Sequence, residues 1–199
     1  MILRDRLRHF LHDESGSISI ETVIIFPVLI WIFLATFVFF DAFRAKSINV
    51  KATYTISDIL SREVNEPITP EFMDSLYALY RGLVVHTQPR SLRVTAIRYL
   101  KTPNTYNVVW SEVRGIAPLP ARLTNANLAT IRNTRLPVMY DGEVGILIET
   151  SSRYTPIFGY AGLPGFTVGN FMILRPRFAP QVCWSTSNDG PWTGANQTC

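Results

Sequence analysis

Few side chains in this sequence stand where chemistry needs them. Glu21 is one: a carboxylate at the edge of an apolar run that extends from Val23 to Phe40 without a charged residue. A carboxylate in or near hydrocarbon costs several kcal/mol unless it is paired, so a residue so placed reads either as functional or as a side chain snorkelling to the headgroup level. Cys183 and Cys199 are the only two cysteines, and the tail between them holds Ser185, Ser187, Asn188, Asp189, Gly190, Pro191 and Gly194, with no regular period. In an oxidising compartment they would close that loop as a disulfide, contributing about 3 kcal/mol in the chain-entropy model. In a reducing one they would stand as two unrelated thiols. The remaining reactive types lack context. His9, His12 and His86 do not have metal-ligand spacing. Gly162-Leu163-Pro164-Gly165 has neither the lysine nor the strand–helix setting of a phosphate loop. No serine or cysteine lies in a recognisable nucleophile motif. The expectation is a protein without catalytic residues, cofactor or metal.

The elements that must position Glu21 begin with the apolar run itself. At a rise of about 1.5 Å per residue, ~20 residues cross a ~30 Å hydrocarbon core. A soluble helix of that length would show a polar face, and this one shows none. Pro27 would break the interior of a soluble helix but is tolerated near the end of a membrane helix. A cleaved secretory signal has an apolar core of about 7–15 residues followed by a small-x-small site, and here the chain continues as Asp41-Ala42-Phe43-Arg44. Residues 17–40 therefore read as a transmembrane helix in the lipid bilayer. Phe33, Phe37 and Phe40 recur at i, i+4 and i+7, a stripe suited either to packing against another subunit's helix or to facing lipid. Charge does not orient the span, because Arg4, Arg6 and Arg8 precede it while Arg44, Lys46 and Lys51 follow it. The net charge is +4 and the basic residues are scattered, which argues against a nucleic-acid groove.

Just ahead of the span stands His12-Asp13-Glu14-Ser15-Gly16-Ser17-Ile18-Ser19-Ile20-Glu21-Thr22. This resembles the processing site of type IV pilin-like precursors, and its finer pattern resembles the TadE/TadG-like pseudopilins of the tight-adherence (Flp) pilus. The features that carry it are Asp-Glu-Ser-Gly before the cut, a glutamate at the fifth mature position and a proline six residues later. The resemblance is specific over residues 13–45, loose to about 65, and adds Arg175-Pro176-Arg177 near the end. It implies cleavage between Gly16 and Ser17 by a prepilin peptidase, with 1–16 a cytoplasmic leader and 41–199 a periplasmic domain. It further implies that Glu21 pairs with the new N-terminal amine of a neighbouring subunit during assembly. The implied partners are other minor pseudopilins, the major Flp pilin and the inner-membrane assembly platform. Thr22 departs from the tyrosine or phenylalanine of major pilins, and those are tiny, so the resemblance points to a minor subunit. Two alternatives remain beside it: a pseudopilin of a secretion system, and an uncut signal-anchored periplasmic binding domain.

Beyond the span, Ile48, Ala52, Ile56, Ile59 and Leu60 predict that the helix continues, amphipathic, to about Val64. Thr69-Pro70-Glu71 predicts a second helix, with Phe72, Leu76, Leu79 and Leu83 on its apolar face. Residues 91–99, 106–113, 143–150 and 171–174 read as strands from their β-branched and aromatic content. Asp141-Gly142 and the stretch from Gly159 to Gly169 read as turns, and 116–137 as a connection with a short helix near Leu128. The expected fold is α+β, a long first helix lying on a mainly antiparallel sheet in the manner of pilins.

Overall fold

The computed structural model describes residues 17–63, 66–84, 90–159 and 164–199. The fold is α+β, a long helix packed on a four-stranded antiparallel sheet. Helix α1 runs from Ser17 to Arg62 over 46 residues with no interruption at Pro27. It ends where Arg62 pairs with Asp58 one turn earlier at 3.0 Å. The expected end at Val64 lies outside the described residues.

Two compact units share this helix. One comprises Met1–Asp41 with Pro156–Pro164, the other Ala42–Thr155 with Gly165–Cys199. In the second unit, helix α2 (Pro70–Leu83) starts as the sequence predicts: the Thr69 side chain accepts from the Phe72 amide at 3.1 Å, and Pro70 fills the first turn. Its inward face keeps the expected Leu76 and otherwise differs from expectation. Met73, Leu76 and Tyr80 are buried, whereas Leu79 and Leu83 are exposed and Phe72 is only half-buried. The buried set recurs at i, i+3 and i+7, so the helix is turned by about one residue from the predicted face. That rotation brings the Tyr80 hydroxyl to Asn49 of α1.

The strands β1 (Arg90–Leu100), β2 (Thr105–Gly115), β3 (Val144–Tyr154) and β4 (Phe166–Leu174) form the sheet in the order β2-β1-β3-β4. β4 begins earlier than predicted and takes in Gly169, which pairs with Ser151. Ladder hydrogen bonds use backbone alone, so a glycine read as a turn signal sits here as a strand residue. In β2, Ala96 pairs with Trp110 but Ile97 with Val108, leaving Val109 as the extra residue of a bulge. The bulge lets Val109 and Trp110, adjacent in sequence, pack in the same core cluster while Val108 joins the other.

The sheet is covered on both faces. One core holds Ala52, Ile56 and Leu60 of α1, Met73, Leu76 and Tyr80 of α2, and Leu92, Val94, Ile146 and Ile148 of the strands. The other holds Ile97 and Leu147 under Leu123, Leu128 and Met139, with Leu128 on helix α3 (Asn125–Arg135). Helix α3 is the short helix expected near Leu128.

Candidate functional site

The first unit presents the feature that needs an explanation. Within α1 the most apolar 18-residue window has a mean hydropathy of 2.8, and only 6% of it is buried. Ile18, Phe33 and Phe40 are 76%, 70% and 73% exposed. A core helix of a soluble protein would be covered by its own chain. Apolar surface this extensive near the N-terminus suits a membrane anchor or a signal segment. Two hydroxyls along it are settled locally: Thr22 and Thr36 donate to the carbonyls of Ile18 and Ile32, at 2.8 and 2.9 Å. Such back-bonds let a hydroxyl sit in an apolar medium with its donor satisfied.

Ser17 is the first helical residue, and Glu21 lies about one turn further along with its side chain exposed. Gly16, the residue expected to precede a cleavage, lies outside the described residues, as do residues 1–15. Of the predicted aromatic stripe, Phe33 and Phe40 stand out from the helix. Phe37 is less exposed because its ring meets Phe158 edge-on, with centroids 6.3 Å apart. The sequence offered no signal for that contact, since Phe158 lies in the β3–β4 connection.

Cys183 and Cys199 form a disulfide. The loop they close is anchored at its start, where Trp184 and Ser185 are buried, while most of 186–199 is exposed. Ile68 and Cys183–Ser185 exchange backbone bonds, Ile68 N donating to Cys183 O at 2.7 Å and Ser185 N to Ile68 O at 2.9 Å. Trp184 is buried against Trp110, whose indole N–H donates to the Val182 carbonyl at 2.8 Å. A two-residue ladder, β5 (Trp184–Ser185) with β6 (Gln197–Thr198), brings the second cysteine back to the first.

The second unit also contains a buried polar cluster that the sequence reading passed over. Asn49, Thr53, Ser57 and Ser61 of α1 recur every fourth residue and are all buried. The Asn49 amide donates to the Tyr80 hydroxyl at 3.2 Å and to Ser152, accepts from Thr150 at 3.1 Å, and meets the Asn170 amide at 2.6 Å. Thr53 shares a hydrogen bond with Thr150 at 2.7 Å. The four-residue spacing was the available signal, a polar row beside the apolar one. Burial pushes the Tyr80 phenol above its ordinary pKa, against the pull of hydrogen bonds from Ser152, Thr150 and Asn49. The Tyr80 hydroxyl accepts from Asn49 and so ties α2 to α1 within this cluster.

On the opposite face of the sheet a cleft of about 340 Å³ lies over Arg93, Glu149 and Phe171. Arg93 grips Glu149 at 2.5 Å and donates to the Ala121 carbonyl at 2.6 Å, while Arg135 lies over the Phe171 ring, 5.3 Å from its centroid. The cleft's lining mixes apolar surface with the paired Arg93 and Glu149, with Arg135 and with the hydroxyls of Ser91 and Thr150. Among the described residues no three His, Cys, Asp or Glu side chains converge as metal ligands. The histidines His9, His12 and His86 lie outside the described residues. Comparison with family models, curated proteins and solved structures finds no match for this chain.

Proposed function

We propose that this chain is a non-catalytic assembly subunit, a TadE-like minor pseudopilin of a tight-adherence pilus. In this reading it is cut between Gly16 and Ser17 by a prepilin peptidase and held in the bacterial inner membrane with its α+β domain in the periplasm. The observation that carries the reading is the spacing of Gly16, Ser17 and Glu21 at the mouth of an exposed apolar helix that continues into a folded domain. Two features support it. The apolar stretch of α1 from Ile18 to Phe33 is exposed, as a helix must be if it is to lie in lipid and then pack on sister helices. The Cys183–Cys199 disulfide suits a domain exported to an oxidising compartment.

The mechanism that follows is assembly by charge pairing. Cleavage would free an α-amine on Ser17, and Glu21, near the hydrocarbon boundary, would lower its own desolvation cost by pairing with the amine of an incoming subunit. The test is the intact mass and N-terminal residue of the protein taken from native membranes. A chain starting at Ser17 with the apolar segment retained supports the reading, and one starting at Met1 sinks it. Glu21→Ala is expected to insert and be processed normally but to fail in filament assembly. Normal pili from that variant would remove the charge pair from the mechanism.

The cleft over Arg93, Glu149 and Phe171 favours a second reading, an uncut signal-anchored periplasmic binding domain. Intact mass separates the two. A pseudopilin of a secretion system shares the first reading's processing and differs in the machine it joins, which co-purification of partner subunits would distinguish.

A further inference from the structure

We infer that the connection between β3 and β4 is a second membrane-contacting element, seated in the bilayer beside α1 at Pro156–Gly159. The inference rests on reading the apolar half of α1 as a membrane span. Three observations carry it. First, the ring of Phe158 meets the ring of Phe37, centroids 6.3 Å apart at an interplanar angle of 63°. Phe37 lies four residues before Asp41, the first charge after the apolar run. At about 1.5 Å per residue, its Cα is roughly 6 Å inside that boundary. Helical side chains lean toward the N-terminus, which carries the ring deeper still. A group packed on that ring is at the level of the outer acyl chains, not of bulk water.

Second, the loop's own chemistry suits that depth. Ile157 is 69% exposed and Phe158, even with Phe37 against it, 39%. No charged residue occurs anywhere between Arg153 and Arg175. In a loop facing water, adjacent exposed isoleucine and phenylalanine would be a liability. At a lipid interface they are the groups that bury apolar area. Third, Pro156–Pro164 forms a compact unit with the segment ending at Asp41, not with the strands it joins. Backbone polar groups of a loop do not enter the hydrocarbon centre. Contact near Phe37, close to the end of the span, stays within the zone where water still reaches the backbone. The occupant is therefore a lipid surface, continuous with the lipid around α1.

Site-directed spin labelling of the full chain tests this. The native cysteines are both in the disulfide, so a nitroxide reacts only with an introduced thiol. Ile157→Cys would carry the label in vesicles of phosphatidylethanolamine and phosphatidylglycerol. Phe33→Cys on the span and Val138→Cys, at a site 92% exposed on the other unit, serve as references. Gly159→Cys gives a second label in the loop, at a position with open space around its Cβ. The expected result is that labels at 157 and 159 collide readily with oxygen and poorly with a water-soluble nickel chelate, as at 33 and unlike 138. Labels that behave as at 138, or that are shielded from both reagents as under a protein partner, overturn the inference while leaving the span intact. If the label at 33 itself reads as aqueous, the span fails and this inference with it.

Discussion

Replacing Asn49 by alanine isolates the buried polar cluster that joins α1 to the sheet. The Asn49 amide meets Tyr80, Ser152, Thr150 and Asn170, and its residue is fully buried. At about 1 kcal/mol each, four such contacts sum to about 4 kcal/mol. Thr150 keeps its bond to Thr53, which returns part of that, so the expected loss is about 3 kcal/mol. For a chain of this size 1 kcal/mol shifts the melting temperature by about 2–4 °C, giving a drop of roughly 6–12 °C. The assay is thermal unfolding of the full chain in detergent micelles, followed by near-ultraviolet circular dichroism, to which the Trp110–Trp184 pair, 5.8 Å apart, contributes. Thr55→Ala is the control: its hydroxyl makes one exposed back-bond to Lys51, so it is expected to change stability by no more than about 0.5 kcal/mol. A melting temperature for Asn49→Ala equal to that of the control would refute the claim that this network holds the helix to the sheet.

Alkaline titration should weaken the domain, because burial raises the pKa of Tyr80 and, similarly, of Tyr106. The stability tied to a phenol whose folded pKa is raised is complete below its unfolded value of about 10 and declines as pH climbs above it toward the folded value; Tyr80→Phe should flatten that decline in pH-dependent melting curves. Reducing the Cys183–Cys199 disulfide is expected to cost about 3 kcal/mol, seen as a lower melting temperature with dithiothreitol and reproduced by Cys183→Ser. Gly115→Ala should destabilise by roughly 1–3 kcal/mol in the same assay, because a Cβ there would lie 2.5 Å from the Arg90 carbonyl oxygen and 2.8 Å from the Ser91 Cα.

Much of the architecture could be read locally. An uncharged apolar run long enough to span, the cap at Thr69-Pro70 and the β-branched stretches each state their own secondary structure, because dihedral preference, capping and hydrophobic period act over a few residues. The α+β class and the antiparallel sheet on the long helix followed from their order. The inward faces did not. Leu76 turns inward as its spacing predicts, but Phe72, Leu79 and Leu83 are at least as apolar as Met73 and Tyr80, and only the position of Asn49 and the sheet selects the latter two. The row Asn49, Thr53, Ser57, Ser61 would ordinarily be given to solvent. Asn49 and Thr53 are buried because Thr150, Ser152 and Asn170, 97 to 121 residues away in the chain, supply hydrogen-bond partners. The meeting of Phe158 with Phe37 is of the same kind. Burial of a polar group, and the face a helix turns inward, are set by the free energy of pairing with distant residues, so they exist only once the chain has closed on itself.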